Sequence, residues 1–342
     1  KPIRLKQNRK LFVDFSYDLA KPAIFRLTEN DPEKAHEVFT GLMRFLYYGH
    51  FDELVLGFKS ENRKGIKISN AAGFNKNGLL PPTTMKHLGF DRVVVGTVTG
   101  EKYDGNPRPR IKRFSETNSL VNWMKLPGVG AEEVAKIMNS YGEHGVPITI
   151  NISPTPGTGN IFADLKKSIK ATKDLHGVDR IEAGISCPNT GEEEIRKYIR
   201  HLVGILDSVY ETKNDGQEVY LKVSPDLTEE EVEQIISVSQ SFRVNGYVTT
   251  NTTTEHNPRY ITEKIGKGGA SGNAVYGKSL EVQRMFFEKT KCNPNVKIIP
   301  CGGISSLEKM TERVEDYGNV DEIQIFTPLI CEGPGLLRRL KS

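Results

Sequence analysis

Long apolar runs are missing from this 342-residue chain. No window approaches the roughly 18 consecutive apolar residues of a bilayer span, so no segment is expected to cross a membrane. Cysteine is scarce: Cys187, Cys292, Cys301 and Cys331 lie far apart with no CxxC spacing, which excludes an encoded zinc site or iron–sulfur cluster and reads as reduced thiols. Charge of one sign is also lacking. A dispersed net charge of +4, without interleaved basic and aromatic residues, gives no reason to expect nucleic acid. There is no GxGxxG strand-to-helix unit of the kind that cradles a dinucleotide.

What is present is an ordinary globular composition, 37% hydrophobic and 26% charged, on a chain long enough for one large α/β domain of about 250–300 residues plus an appendage. The sequence begins at Lys1 rather than Met, with Lys1, Arg4, Lys6, Arg9 and Lys10 among its first ten residues. That leaves room for a targeting or anchoring segment ahead of it, and for either a cytoplasmic or a membrane-surface location.

Residues 1–62 read as a helical cap ahead of a main domain over 63–342. Asn30-Asp31-Pro32-Glu33 is a helix start, with Asp31 as the cap and Pro32 at the first helical position. It opens the run Ala35–Tyr48, where Val38, Leu42, Phe45 and Leu46 recur at helical spacing; Phe12, Phe15, Leu19, Ile24 and Phe25 form a second apolar set upstream. Two uses of this apolar surface stand side by side: packing over the core, or an apolar mouth that admits a lipid-soluble molecule or touches a membrane surface.

From Ile66 onward short strand-like runs alternate with helical ones. The strands are expected at Ile66–Phe74, Arg92–Thr99, Pro147–Ser153, Asp179–Ser186, Val219–Pro225, Gly246–Thr253, Val296–Gly303 and Asp321–Pro328. Eight strands separated by helices imply an α/β fold, a (β/α)8 TIM barrel with a small N-terminal helical extension, whose active site lies at the strands' carboxyl ends. Polar residues gather there: Asn75 and Lys76, Thr97 and Thr99, Asn151, Ser186 and Cys187, Lys222 and Ser224, Asn251 and Thr252, Gly302 and Gly303, and Thr327.

The most pointed stretch is Gly184–Gly191, GISCPNTG. Pro188 pushes Cys187 out of the α region, so a thiol is expected extended at a strand's end with Asn189 beside it. Two glycine clusters fall late, Gly268-Gly269-Ala270-Ser271-Gly272 and Gly302-Gly303-Ile304-Ser305-Ser306, the second leading into a helix near Leu307. Amides bared by glycine at a helix N-terminus bind phosphate, and barrels often do so after their seventh and eighth strands, so a phosphorylated cofactor fits. Lys222, inside the apolar run Val219–Val223, needs an anionic partner. An anionic reduced flavin would serve; so would a core salt bridge with Asp226 or another carboxylate. Asn122, Asn151, Asn189 and Asn251 offer paired donors and acceptors to a planar amide-bearing ring.

In order, Ala71-Ala72-Gly73-Phe74-Asn75-Lys76-Asn77-Gly78, Gly96-Thr97-Val98-Thr99, Gly105-Asn106-Pro107-Arg108-Pro109-Arg110, Ile185-Ser186-Cys187-Pro188-Asn189-Thr190, Lys222-Val223-Ser224-Pro225-Asp226-Leu227-Thr228, Thr249-Thr250-Asn251-Thr252-Thr253 and Cys301-Gly302-Gly303-Ile304 resemble the dihydroorotate dehydrogenase family block by block. Asp31-Pro32-Glu33-Lys34-Ala35-His36 resembles the extension of the membrane-associated class 2 enzymes, in which two helices form a quinone tunnel. The resemblance implies Cys187 as the catalytic base. It implies substrate contacts from Lys76, Asn122, Asn189, Asn251 and Thr252. FMN would be held by Ala72, Gly73, Thr97, Asn151, Lys222, Thr250, Ser271, Gly272, Gly302, Gly303, Phe326 and Thr327, and His36 and Arg113 would line the tunnel. The activity implied is FMN-dependent oxidation of dihydroorotate to orotate in pyrimidine biosynthesis, with a quinone as acceptor and peripheral membrane contact. The chain also departs from the pattern. A cysteine in the catalytic loop, and Asn122-Trp123-Met124-Lys125-Leu126-Pro127, are closer to the soluble class 1 enzymes. Gly184 replaces an asparagine, Asn75 an aspartate and Lys125 a glycine. Those departures keep two other readings open: a related flavin enzyme acting on another dihydropyrimidine or enamide-type ring, and a catalytically idle flavin-binding barrel.

Overall fold

The structure, a computed structural model, describes residues 26–28, 31–57, 65–185, 192–266, 268–315 and 317–342. Eleven strands are described: β1 (Lys67–Asn70), β2 (Val93–Val98), β3 (Ile111–Phe114), β4 (Ser119–Asn122), β5 (Ile148–Ile152), β6 (Val178–Gly184), β7 (Glu218–Val223), β8 (Gly246–Thr249), β9 (Gly269–Gly272), β10 (Lys297–Pro300) and β11 (Glu322–Ile325). Eight of them form the barrel. β2, β5, β6, β7, β8 and β10 pair in that order, and β1 pairs with β11, all parallel. Single parallel bridges, Ser69 to Arg92, Asn75 to Val95 and Cys301 to Gln324, join the two groups into a ring. These strands match the eight sequence runs, each start lying within one residue of the expected one.

Strand periodicity explains the interior. Ile148, Ile150 and Ile152, Ile181 and Ala183, and Val219, Leu221 and Val223 are buried in the main apolar core, while the alternate residues meet inside the ring. They stack in layers. In the lowest layer, Ser69 Oγ donates to Glu322 Oε1 at 2.7 Å and Arg180 Nη1 donates to Glu322 Oε2 at 2.9 Å. One pleat up, Asn151 and Gln324 donate to Glu182 at 2.8 and 2.6 Å, and Lys222 Nζ donates to Gln324 Oε1 at 3.0 Å. The next pleat, with Ser153, Gly184 and Phe326, opens onto a cavity.

One element was not expected. β3, β4 and β9 form an antiparallel sheet beside the barrel mouth, Asn122 facing Ile111 on one side and Gly269 on the other. The stretch Gly269–Gly272 is a paired strand, not a loop, and its last residue, Gly272, leads directly into the helix Asn273–Thr290. Glycine serves it sterically: at Gly272, φ 74°, an added Cβ would lie 2.2 Å from the Asn118 carbonyl.

The cap comprises α1 (Pro32–Tyr48) and α2 (Asp52–Leu56). Asp31 caps α1 as expected, accepting from the Glu33 and Lys34 amides. The upstream set Phe12, Phe15, Leu19, Ile24 and Phe25, like the expected boundary at 62/63, lies outside the described residues. α1 buries Ala35, Met43 and Leu46 and turns Val38, Leu42 and Phe45 outward, with Phe45 66% exposed. No described helix is long and apolar enough to cross a membrane.

Candidate active site

A cavity of about 640 Å³ lies over the barrel's carboxyl end, roofed by α1, the 102–111 segment and the 122–129 loop. Among its lining residues are Lys76, Asn122, Asn251, Thr252, Ala72, Gly73, Thr97, Asn151, Lys222, Thr250, Ser271, Gly272, Gly302, Gly303, Phe326, Thr327 and His36. The sequence scatters these residues over nearly 300 positions; the barrel gathers most of them because they lie at or just beyond the carboxyl ends of its strands. Cys187 and Asn189 lie outside the described residues. The described chain reaches the cavity at Gly184, and Ile185 then donates its amide to the Lys222 carbonyl at 3.2 Å. Arg113 sits half-buried on β3 opposite Leu120; Leu120 lines the cavity and Arg113 does not.

Lys222 is the electrostatic centre of the floor. Burial works against its charge, but the Cys301 and Glu182 side chains beside it outweigh that and raise its pKa. Burial pushes the Cys301 thiol up, keeping it protonated near neutrality. The counter-charge is therefore Glu182, whose Oε1 lies 3.6 Å from Lys222 Nζ. Asp226, the partner suggested by sequence proximity, is engaged elsewhere, accepting from Thr253 and Thr254 and pairing with Lys278 at 3.0 Å.

The rim is equally specific. The helix Leu307–Val314 starts at Ser306, whose Oγ accepts from the Lys309 amide at 3.2 Å. Lys309 Nζ reaches back to Asn273 Oδ1 at 2.5 Å and Ser305 Oγ at 3.2 Å, tying the start of the helix Asn273–Thr290 to the Gly302–Ser306 turn. Thr327 Oγ1 donates to Ser271 Oγ at 2.8 Å. On the opposite rim, burial lowers the pKa of Lys76 to about 8; Arg110 and Arg108 push the same way and Glu33 opposes them. Glu33 comes from α1 and holds the Arg110 guanidinium through contacts of 2.8 to 3.2 Å, with Arg108 at 3.1 Å. His36, also on α1, donates from Nε2 to the Phe74 carbonyl at 2.8 Å, and burial lowers its pKa, so the ring is neutral. It packs against Phe74 and Phe326.

Two of the sequence departures have local explanations. Asn75 bonds both the amide and the carbonyl of Leu80 at 2.9 Å, a donor-and-acceptor role that an ionised aspartate cannot fill. Lys125 and Leu126 have φ of 60° and 56°, so the loop keeps at Lys125 a left-handed conformation that glycine adopts without strain. Glu182, Gln324, Glu33 and Arg110 join the site without being expected there from the sequence. Glu182 carried the same signal as Lys222, an ionisable residue inside an apolar strand.

The closed (β/α)8 ring with polar side chains converging on one cavity at the strands' carboxyl ends defines a barrel enzyme. The family model described as dihydroorotate dehydrogenase matches residues 59–342, and the chain belongs to that family. Among curated relatives, the dihydroorotate dehydrogenase (quinone) of Natronomonas pharaonis is 29% identical over 337 residues, covering 94% of this chain and 92% of that protein. The protein of the same name from Christiangramia forsetii is 30% identical over 345 residues, covering 95% and 97%. A crystal structure of the Eimeria tenella enzyme in complex with ferulenol is 25% identical with a TM-score of 0.77, covering 91% of this chain and 90% of that one.

Proposed function

We propose that this protein oxidises dihydroorotate to orotate with FMN as its resident cofactor and a quinone as electron acceptor. The observation that carries the reading is the meeting, in one cavity, of the Lys222 cation, the Asn122, Asn151 and Asn251 amides and the glycine-opened turn at 302–303. That donor set suits a flavin mononucleotide: a buried cation for the electron-rich ring, neutral amides for its imide edge, and a helix start for one phosphate. The ring's holders are Ala72, Gly73, Thr97, Asn151, Lys222 and Thr250. The phosphate's are Ser271, Gly272, Gly302, Gly303 and Thr327, with Phe326 packed alongside. When bound, FMN supplies the hydride acceptor.

The chain's own residues do the rest. Lys76, Asn122, Asn251 and Thr252, with Asn189, orient the dihydropyrimidine ring, and charged Lys76 attracts its carboxylate. Cys187, three residues beyond Gly184 at the cavity wall, takes the proton from the saturated ring carbon. A thiol with a reference pKa near 8.5 needs only modest help to act as a base at neutral pH. Met124, Leu126 and Pro127 line the roof and limit access of water.

The quinone reading draws on the cap. The His36, Thr40 and Arg44 side of α1 lines the cavity. Val38, Leu42, Phe45, Tyr48, Phe51 and Leu54 of the cap are 48 to 66% exposed, an outward apolar surface suited to a lipid-borne acceptor and to peripheral contact with a membrane. Arg113, beside this route, is assigned to it by the family resemblance.

Anaerobic dihydroorotate added to the holoprotein should bleach the flavin absorbance. Cys187→Ala should retain flavin yet slow that bleaching by about 10²–10⁴-fold, the scale of a positioned acid–base group. A yellow protein that dihydroorotate leaves oxidised would refute the substrate, and an alanine variant reduced at the parent rate would refute the base.

A further inference from the structure

We propose that Ser153 is a ligand-binding residue of this cavity, its hydroxyl hydrogen-bonding the carbonyl or N–H edge of a cyclic imide ring. Ser153 is 3% exposed, lines the cavity, and its Oγ is a buried atom with no hydrogen-bond partner among the described residues. The cause lies in the layering of β5 against β6. One pleat below, the β5 residue Asn151 finds a partner on β6, donating to Glu182 at 2.8 Å. At the level of Ser153, β6 offers Gly184, which has no side chain to answer it. A Cβ built on Gly184 would sit 3.9 Å from Ser153 Cβ and 3.4 Å from the Ile152 carbonyl, which is ordinary contact rather than a clash. The glycine therefore leaves open a space that a side chain could have occupied.

A buried hydroxyl left unsatisfied is costly and in a native structure calls for an explanation. The explanation here is an occupant that enters from the cavity. It is planar and bears both acceptors and a donor, since Asn151, Lys222 and Asn251 line the same cavity and offer both kinds of group. A cyclic imide meets that description. Two molecules of the proposed reaction carry one, the pyrimidine substrate and the flavin, so the inference rests on the function proposed above.

The test uses Ser153→Ala, which removes one oxygen from a position where it bonds none of the described residues. Orotate affinity of the holoprotein is read from the flavin spectrum, FMN affinity from titration of the apoprotein, and apoprotein melting from circular dichroism. The expected result is a loss of about tenfold in one affinity, the equivalent of one hydrogen bond, with the apoprotein melting no lower than the parent. A loss confined to orotate assigns the hydroxyl to the substrate, and a loss in FMN assigns it to the flavin. Ser153→Thr, which keeps the hydroxyl, should stay near the parent. If both affinities of the alanine variant fall within twofold of the parent's, or its apoprotein melts several degrees lower with both affinities unchanged, the proposal is wrong. A parent protein that binds neither FMN nor orotate would instead overturn the functional reading beneath it.

Discussion

The barrel floor and the α1–α2 cap face the same cavity and are built on opposite principles. The floor is a stack of fully buried charges, Arg180 with Glu322 and Lys222 with Glu182, each carboxylate held by at least one further hydrogen bond from Ser69, Asn151 or Gln324. The cap presents an apolar face to the outside and meets the barrel through Met43, Leu46 and Leu56, which join the main apolar core, and through polar contacts that include Glu33 with Arg108 and Arg110 and His36 with the Phe74 carbonyl. A buried ion pair is weak as a source of net stability, but it tolerates no change of partner. An exposed apolar surface on one short helix pair orders little and leaves room for a guest. On the function proposed above, the floor would fix where charge sits beneath the reacting ring, and the cap would govern what reaches it.

Breaking the floor should give the largest effect. Glu182→Ala leaves Lys222 buried without its counter-charge, and such a loss costs about 3–5 kcal/mol, visible as a lower urea midpoint. Glu182→Leu combined with Lys222→Met should recover much of that stability, because removing both charges is far cheaper than removing one. A single variant within 1 kcal/mol of the parent would show that water or a rearranged neighbour replaces the carboxylate, and the contrast with the cap would lose its basis.

The cap should respond in the opposite way, with function altered and the fold intact. Phe45→Ser together with Leu42→Ser removes two exposed apolar side chains, and full burial of one such group in a lipid surface is worth about 1.5–3 kcal/mol. Binding to lipid vesicles should weaken by about tenfold or more, while dihydroorotate reduces the flavin at an unchanged rate. Equal sedimentation of parent and variant with vesicles would mean that this face is not a membrane contact.

The two regions were also unequally legible in the sequence. Barrel strands announce themselves because each is a short β-branched run ending in polar residues, and the register that brings Asn151 beside Glu182 follows from strand periodicity. The antiparallel sheet was hidden: Ile111–Phe114 and Ser119–Asn122 are four residues each, and their partner Gly269–Gly272 has a composition that reads as a turn. Strand pairing across some 150 positions leaves no local mark. Lys222 stands out in the sequence as an ion in an apolar strand, yet its partner is Glu182 and not Asp226, its neighbour in sequence. Side chains separated by a strand and a helix meet inside a barrel, while those four apart along a strand's exit diverge. The cap helix was legible through its Asp-Pro start, but which side of it faces the barrel was not, because Val38, Leu42 and Phe45 satisfy a helical apolar period whether they point in or out.

The smallest effect joins the two regions at Lys76. Its pKa of about 8 reflects burial first, with the neighbouring arginines pushing the same way and Glu33 on the cap opposing. A lysine held below its ordinary 10.5 binds fewer protons folded than unfolded between those two values. Stability should therefore rise with pH from about 8 to about 10.5 through this group, and orotate affinity should fall over the same rise as the cation that attracts its carboxylate is lost. Glu33→Gln removes the one charge that favours the ammonium form, so the edge in orotate affinity should move to lower pH, by a fraction of a unit if solvent screens much of the interaction. Titrating orotate into the parent and the variant across pH 6 to about 10 measures both edges. An edge that stays in place would show that Glu33 serves only to hold Arg110; one that moves to higher pH would show that losing the cap contact opens Lys76 to water, and the coupling between cap and site would then run through solvent access rather than charge.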